Sequence, residues 1–245
     1  MPRPIIRSEP DPVVIRIPLT LKYRRYYATE VMKRLSRAEQ GERNRALVLD
    51  AARRVFLARG YYGATLEQIA DEAGFSKGVV YSQFDSKADL FLALLEARIS
   101  ERAAENARLA ETLAGGGGLP ALVEHLAAGD RDTPGWALLV IEFRVHAARD
   151  PVLGRRYAAA HARTVEALAG ALMTVGAHDG QAPAIEPSRL AELALALSFG
   201  VTLEEAASPD ALGGPLPAAR LVAQVLQALL TAPAAPAPVA GSDRP

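Results

Sequence analysis

From Ser36 onward, apolar residues recur at helical spacing and almost nowhere alternate with polar ones. Ser36 and Glu39 read as a capping box, in which each side chain bonds the other's backbone N–H. Val48, Ala52, Val55 and Phe56 then fall on one face of the helix that box opens. Arg59-Gly60 closes it, with glycine suited to the left-handed closing position. A second capping box, Thr65 with Gln68, opens a short helix that ends at Ala73-Gly74. Ser76 starts a third helix, through about Gln83, and Ser86 a fourth that runs to about Ala114.

Gly115 to Gly118 is a four-glycine run, too flexible for a helix interior, and predicts a loop. Beyond it the pattern predicts helices over 119–128, 134–149, 151–177, 187–206 and 215–231. They are separated at Gly129-Asp130, at Asp150-Pro151, from Gly180 to Pro187, and from Ser208-Pro209 to Pro215. Only residues 13–17, Val-Val-Ile-Arg-Ile, carry a hint of strand alternation. The expectation is an all-α protein of about nine helices.

Composition supports that reading. Half of the 245 residues are apolar, mostly Ala and Leu, the best helix formers, and only 6% are aromatic. The absence of cysteine excludes a disulfide scaffold and thiolate metal sites. Pro2, Pro4, Pro10, Pro12 and Pro18 interrupt any apolar signal segment. No apolar run approaches the roughly 20 residues of a membrane span. A cytoplasmic protein with no membrane contact and no cofactor is expected.

The net charge of zero hides a gradient: residues 1–35 hold eight Lys/Arg against three Asp/Glu, and residues 103–245 hold ten Arg against fifteen Asp/Glu. A basic N-terminal end hints at nucleic acid nearby. A pI near 6.9 means that any DNA contact comes from a local patch. The expected organisation is a basic, flexible extension at 1–35, a DNA-binding domain at 36–90, a helical ligand-binding and dimerisation domain at 91–231, and a disordered Ala/Pro-rich tail at 232–245. The extension reads as a solvated tail, as sequence upstream of a true start at Met32, or as a basic arm that touches phosphates.

Residues 65–84, TLEQIADEAGFSKGVVYSQF, describe two short helices crossed at a tight turn. Leu66, Ile69 and Ala70 form one inward stripe and Val80 with Phe84 the other, while Gly74 reverses the chain and Phe75 plugs the turn. Lys77, Gly78, Val79, Ser82 and Gln83 are left facing outward or sideways, a surface suited to the major groove. Within Val48 to Leu90, Ala51, Ala52, Phe56, Gly60, Tyr61, Thr65, Ile69, Ala70, Ala73-Gly74, Ser76, Gly78, Tyr81, Phe84, Ser86, Lys87 and Leu90 stand in the register of one known domain. The stretch resembles the DNA-binding domain of the TetR family of bacterial transcriptional regulators.

That resemblance implies roles residue by residue. Thr65 would cap its helix and approach a phosphate; Tyr81 would approach a phosphate and Lys77 a phosphate or a base; Lys87 would contact the DNA backbone. The helix starts at Thr65 and Ser76 would offer amide donors to phosphate. Val79 and Gln83 depart from the common family residues, so base preference does not carry over; Gln83 suits an adenine edge and Val79 a thymine methyl. Tyr81 also suits plain packing against the first helix. Lys77 and Lys87 sit at helix starts, where the helix dipole disfavours cations, and this points to a purpose for each.

No phosphate loop, nucleophile elbow or zinc spacing is present, so no enzyme is expected. Glu142 and His146, at i and i+4, read as a polar pair near a pocket rather than as metal ligands. The family implies a homodimer on a palindromic operator and a small-molecule effector held between helices. Apolar stripes at 191–197 and 219–230 suit a four-helix dimer interface, or an internal core. Candidate pocket residues are Trp136, Phe143, His146, Tyr157, His161 and Phe199, with Arg144, Arg155 and Arg156 available for an acid. The expected function is a repressor released from DNA by its ligand, with an activator or ligand-independent regulator as the alternative and a helical enzyme a distant third.

Overall fold

The computed structural model describes residues 36–114, 118–128, 135–178, 185–208 and 215–231. The expected extension at 1–35, the strand hint at 13–17 and the tail at 232–245 lie outside them. Nine helices and no strand are found among the described residues: α1 Arg37–Gly63, α2 Leu66–Ala73, α3 Lys77–Tyr81, α4 Lys87–Leu113, α5 Gly118–Ala128, α6 Trp136–Ala147, α7 Pro151–His178, α8 Pro187–Ala207 and α9 Pro215–Thr231. No described helix is long and apolar enough to cross a membrane.

Local signals explain most helix ends. The Ser36 N–H donates to Glu39 Oε2 (2.7 Å) and the Glu39 N–H to Ser36 Oγ (3.2 Å). Asp150 Oδ1 accepts from the N–H groups of Val152 and Leu153, which opens α7. Two glycine expectations are corrected. Gly118 is not loop but the first residue of α5, where a Cβ would lie 2.3 Å from the Leu113 carbonyl oxygen. Gly60 has φ 69° and ψ 173°, not the helical left-handed pair, and Tyr61 to Gly63 add a further turn.

The chain divides into two units, Met1–Asn44 and Arg45–Pro245. In the first, the described residues hold the Ser36 capping box and a bond from Gln40 Nε2 to Asn44 Oδ1 (2.8 Å). In the second, one buried core joins α1 to α4 with α6 and the start of α7, around Phe56, Ile69, Val80, Phe91 and Phe143. A second core gathers α5, α7, α8 and α9 around Leu122, Val175, Leu190 and Leu226. Helix α4 crosses residue 90 unbroken, packs along α7 and contributes to both cores.

Candidate nucleic-acid interface and effector cavity

Helices α2 and α3 form the helix-turn-helix. Thr65 Oγ1 accepts from the Gln68 N–H, and Gln68 Oε1 accepts from the Thr65 N–H, which completes the predicted capping box. Gly74, at φ 73° and ψ 26°, closes α2 with N–H bonds from Gly74 to Asp71 and from Phe75 to Ala70. Val80 is fully buried and Phe84 nearly so, which turns the other face of α3 outward.

That outer face holds Ser76, Lys77, Gly78, Tyr81 and Ser82, all exposed, with Val79 half-buried. Glu67 on α2 gathers two of them: Lys77 Nζ lies 3.4 Å from Glu67 Oε1, and the Tyr81 hydroxyl donates to the same oxygen at 3.4 Å. The Glu67 carboxyl is held below its ordinary value, first by its own backbone N–H and then by the Lys77 charge. Ser82 Oγ donates back to the Val79 carbonyl (2.8 Å).

Three sequence expectations change here. Ser76 stands at the cap position of α3, but its hydroxyl makes no cap bond. Helix α3 ends at Tyr81, so Gln83 lies in the turn beyond it, half-buried, with Oε1 shut from solvent and without a hydrogen-bond partner. The side chain therefore does not present that oxygen outward. Lys87 is engaged inside the protein: Nζ donates to the carbonyls of Tyr61 (2.7 Å) and Ala64 (2.9 Å), reaches Tyr62 O at 3.4 Å, and lies 4.6 Å above the Tyr61 ring. At this helix start the cation satisfies the carbonyls that end α1. Burial lowers the Lys87 pKa.

The break at Gly60 frees the next amide, and Glu142 Oε2 on α6 accepts the Tyr61 N–H at 2.7 Å. A Cβ at Gly60 would meet that same carboxylate oxygen at 2.8 Å. The Tyr61 ring packs against Phe56, Phe91, Phe143 and His146, at centroid distances of 5.1 to 6.0 Å. Burial pushes its phenol up to about 12. Glu142 and His146, read from sequence as a polar pair near a pocket, instead clasp the segment that leads into Thr65. Among the described residues no cluster of His, Asp and Glu could hold a metal ion.

A cavity of about 410 Å³ lies between α4, α5, α6, α7, α8 and α9. Trp136, Tyr157, His161 and Phe199 line it, as expected. Phe143 and His146 do not: Phe143 stacks on Phe91 at 4.3 Å in the core, and His146 faces Tyr61 and Tyr62. Burial, ahead of the Arg144 charge, lowers the His161 pKa, and burial raises that of Tyr157. The expected arginines are not among the lining residues: Arg144, Arg155 and Arg156 are exposed, with the Arg144 guanidinium 5.9 Å over the Phe199 ring and Arg156 Nη1 2.5 Å from Asp89 Oδ1. The cavity's own arginines are Arg98 and Arg102 on α4, with Asn106 one turn further on. Their four-residue spacing was the available signal: polar residues on the face that carries Leu95 and Ile99 inward.

Residues 48–94 match the bacterial regulatory proteins of the tetR family, and residues 117–232 match the C-terminal part of BetI-type transcriptional repressors. The chain belongs to the TetR family. Both the helix-turn-helix and most cavity-lining helices fall inside the two matched stretches. The transcriptional activator FasR of Mycolicibacterium smegmatis is 45% identical over 67 residues, 27% of this chain and 30% of its own length. The chain thus spans under a third of the length of this curated relative. A TetR-family regulator from Mesorhizobium loti shares the fold, with TM-score 0.62 and 24% identity over 80% of this chain and 98% of that one. So does FadR of Bacillus subtilis, solved with stearoyl-CoA, at TM-score 0.53 and 19% identity over 76% of this chain and 97% of its own.

Proposed function

We propose that this TetR-family chain is a homodimeric repressor of transcription. Residues 36–90 read a palindromic operator and residues 91–231 bind a small effector and the second protomer. Thr65, Ser76, Lys77, Gly78, Tyr81 and Ser82 face phosphates or base edges, with Val79 beside them. A ligand in the cavity releases the DNA.

One observation carries this reading. The two helices that wall the cavity with Arg98 and Trp136, α4 and α6, also hold the segment Tyr61–Ala64 through Lys87 and Glu142. That segment runs straight into the Thr65 cap of the reader. A ligand that shifts either helix therefore moves the reader. Two readers enter successive major grooves only when about 34–36 Å apart, so a small tilt spoils the fit. At about 1.5 Å per residue, α4 is a rigid lever of about 40 Å. The effect requires the ligand to bind the displaced form more tightly, with a coupling of about 1–3 kcal/mol.

Dimerisation through α8 and α9 is supported by Leu193, Leu203, Leu221 and Val225, which are exposed on these helices. The test is an operator titration with the DNA upstream of its own gene at rising salt, alongside a reporter assay. A repressor prefers that DNA over random sequence, with affinity falling steeply in salt, and its deletion raises expression. The likeness to FasR favours one second reading, an activator, for which deletion lowers expression.

A further inference from the structure

The charge that the cavity presents is set by α4. Arg98 and Arg102 lie one turn apart, with their side chains 11% and 21% exposed, in a wall to which Leu95, Ile99, Trp136, Leu168 and Phe199 give apolar surface and His161, Thr164 and Ser198 polar groups. Buried guanidinium groups are retained where they are paired. Two of their partners stand toward solvent: Arg98 Nη1 lies 3.1 Å from Glu101 and 3.9 Å from Glu105, and Arg102 Nη1 lies 2.8 Å from Glu105. Glu101 and Glu105 are 58% and 38% exposed. Through Nη1, Arg102 is held to this one carboxylate on the outer side, and the rest of its planar fork of N–H donors remains for another acceptor. Glu205 is the one acidic residue among the lining residues, and its Oε1 is shut from solvent, so that oxygen lies inside the wall rather than on the cavity surface.

We propose that the cavity takes an amphipathic organic anion, with an apolar body among Leu95, Ile99, Trp136, Leu168 and Phe199 and an acidic head at Arg102 and Arg98. This rests on the reading of the cavity as the effector site. A carboxylate matches the guanidinium fork with two parallel hydrogen bonds, which a neutral or cationic head does not. A cavity of about 410 Å³ suits a ligand of ordinary small-molecule size.

Trp136 is the single tryptophan of the chain and lines the cavity, so its fluorescence reports occupancy directly. The experiment titrates the full chain near neutral pH with decanoate, decanol and decylamine, each below its micelle concentration. Decanoate is expected to bind about tenfold or more tighter than decanol, and decylamine weakest. Arg102→Gln is expected to remove the decanoate advantage and leave decanol unchanged, while Arg102→Lys keeps part of it; circular dichroism confirms that both variants fold. Equal affinity for decanoate and decanol in the wild type overturns the assignment of an anion site, with the cavity reading intact. Preference for decylamine overturns it in favour of Glu205 as the charge that matters. If none of the three changes Trp136 emission, the effector reading of the cavity falls, and this proposal with it.

Discussion

At the scale of single residues, Tyr61 is held from two sides, its N–H by Glu142 and its carbonyl by Lys87. Lys87→Ala leaves the carbonyls of Tyr61, Tyr62 and Ala64 without their charged donor, two of them in a half-buried place. It is expected to cost about 1–2 kcal/mol, read as a lower midpoint of thermal unfolding. Because the ammonium is already engaged, the salt slope of operator binding should stay as in the wild type. A slope lower by about 1 would mean that Lys87 meets a phosphate in the complex. Neither Lys87 nor Glu142 disclosed its partner in the sequence, since those partners lie 26 and 81 residues away. The capping boxes at Ser36 and Thr65 were legible because both halves sit three residues apart.

His161 gives a residue-scale test in pH. Burial holds its folded pKa below the ordinary 6.5. As pH falls below that value, the unfolded chain takes up a proton that the folded chain refuses, so stability present above 6.5 is lost on acidification. Thermal midpoints measured from pH 7 to pH 5 should fall less steeply for His161→Gln than for the wild type. Parallel curves would remove His161 as a source of the acid sensitivity.

At the scale of elements, α3 has five residues and is too short to be stable by itself. Its place depends on Val80 and Phe84 in the core, and on α2 through Glu67. The periodicity made the inward stripe legible, but not where the helix ends, because the turn at Ser82 and Gln83 continues the same spacing with bonds to Gly78 and Val80. Gln83→Ala removes a buried oxygen that has no donor. Its thermal midpoint is expected to equal or exceed that of the wild type, with little change in base preference across operator variants. A clear loss of adenine discrimination at one position would restore Gln83 as a base reader. The cavity was half legible for a related reason. Aromatic residues drew attention to α6 and α7, whereas the sequence reading did not single out Arg98 and Arg102, which α4 places in the cavity wall.

At the scale of the whole molecule, the buried clusters account for the inward faces of α8 and α9 but not for Leu203 and Leu221, which are 51% and 50% exposed. The stripes on these helices could not be divided in the sequence between core and interface, and the structure divides them only into buried and exposed faces. Leu203→Glu combined with Leu221→Glu should give a helical monomer by sedimentation, with operator affinity reduced because one reader spans only one half-site. A dimer of unchanged mass would place the interface on another surface.

The contact between Gly60 and Glu142 bears on modularity. Readers and sensors are attractive parts to exchange between regulators, and a crossover placed inside α4 looks natural from the sequence. Such a chimera separates Gly60 from Glu142. A host with a shorter side chain at the acceptor position leaves the Tyr61 amide without its partner, and a donor with alanine at the glycine position meets the carboxylate at 2.8 Å. Exchange of the two parts should therefore preserve regulation only when this glycine and this glutamate travel together, which makes the pair a compatibility key between the halves of the chain.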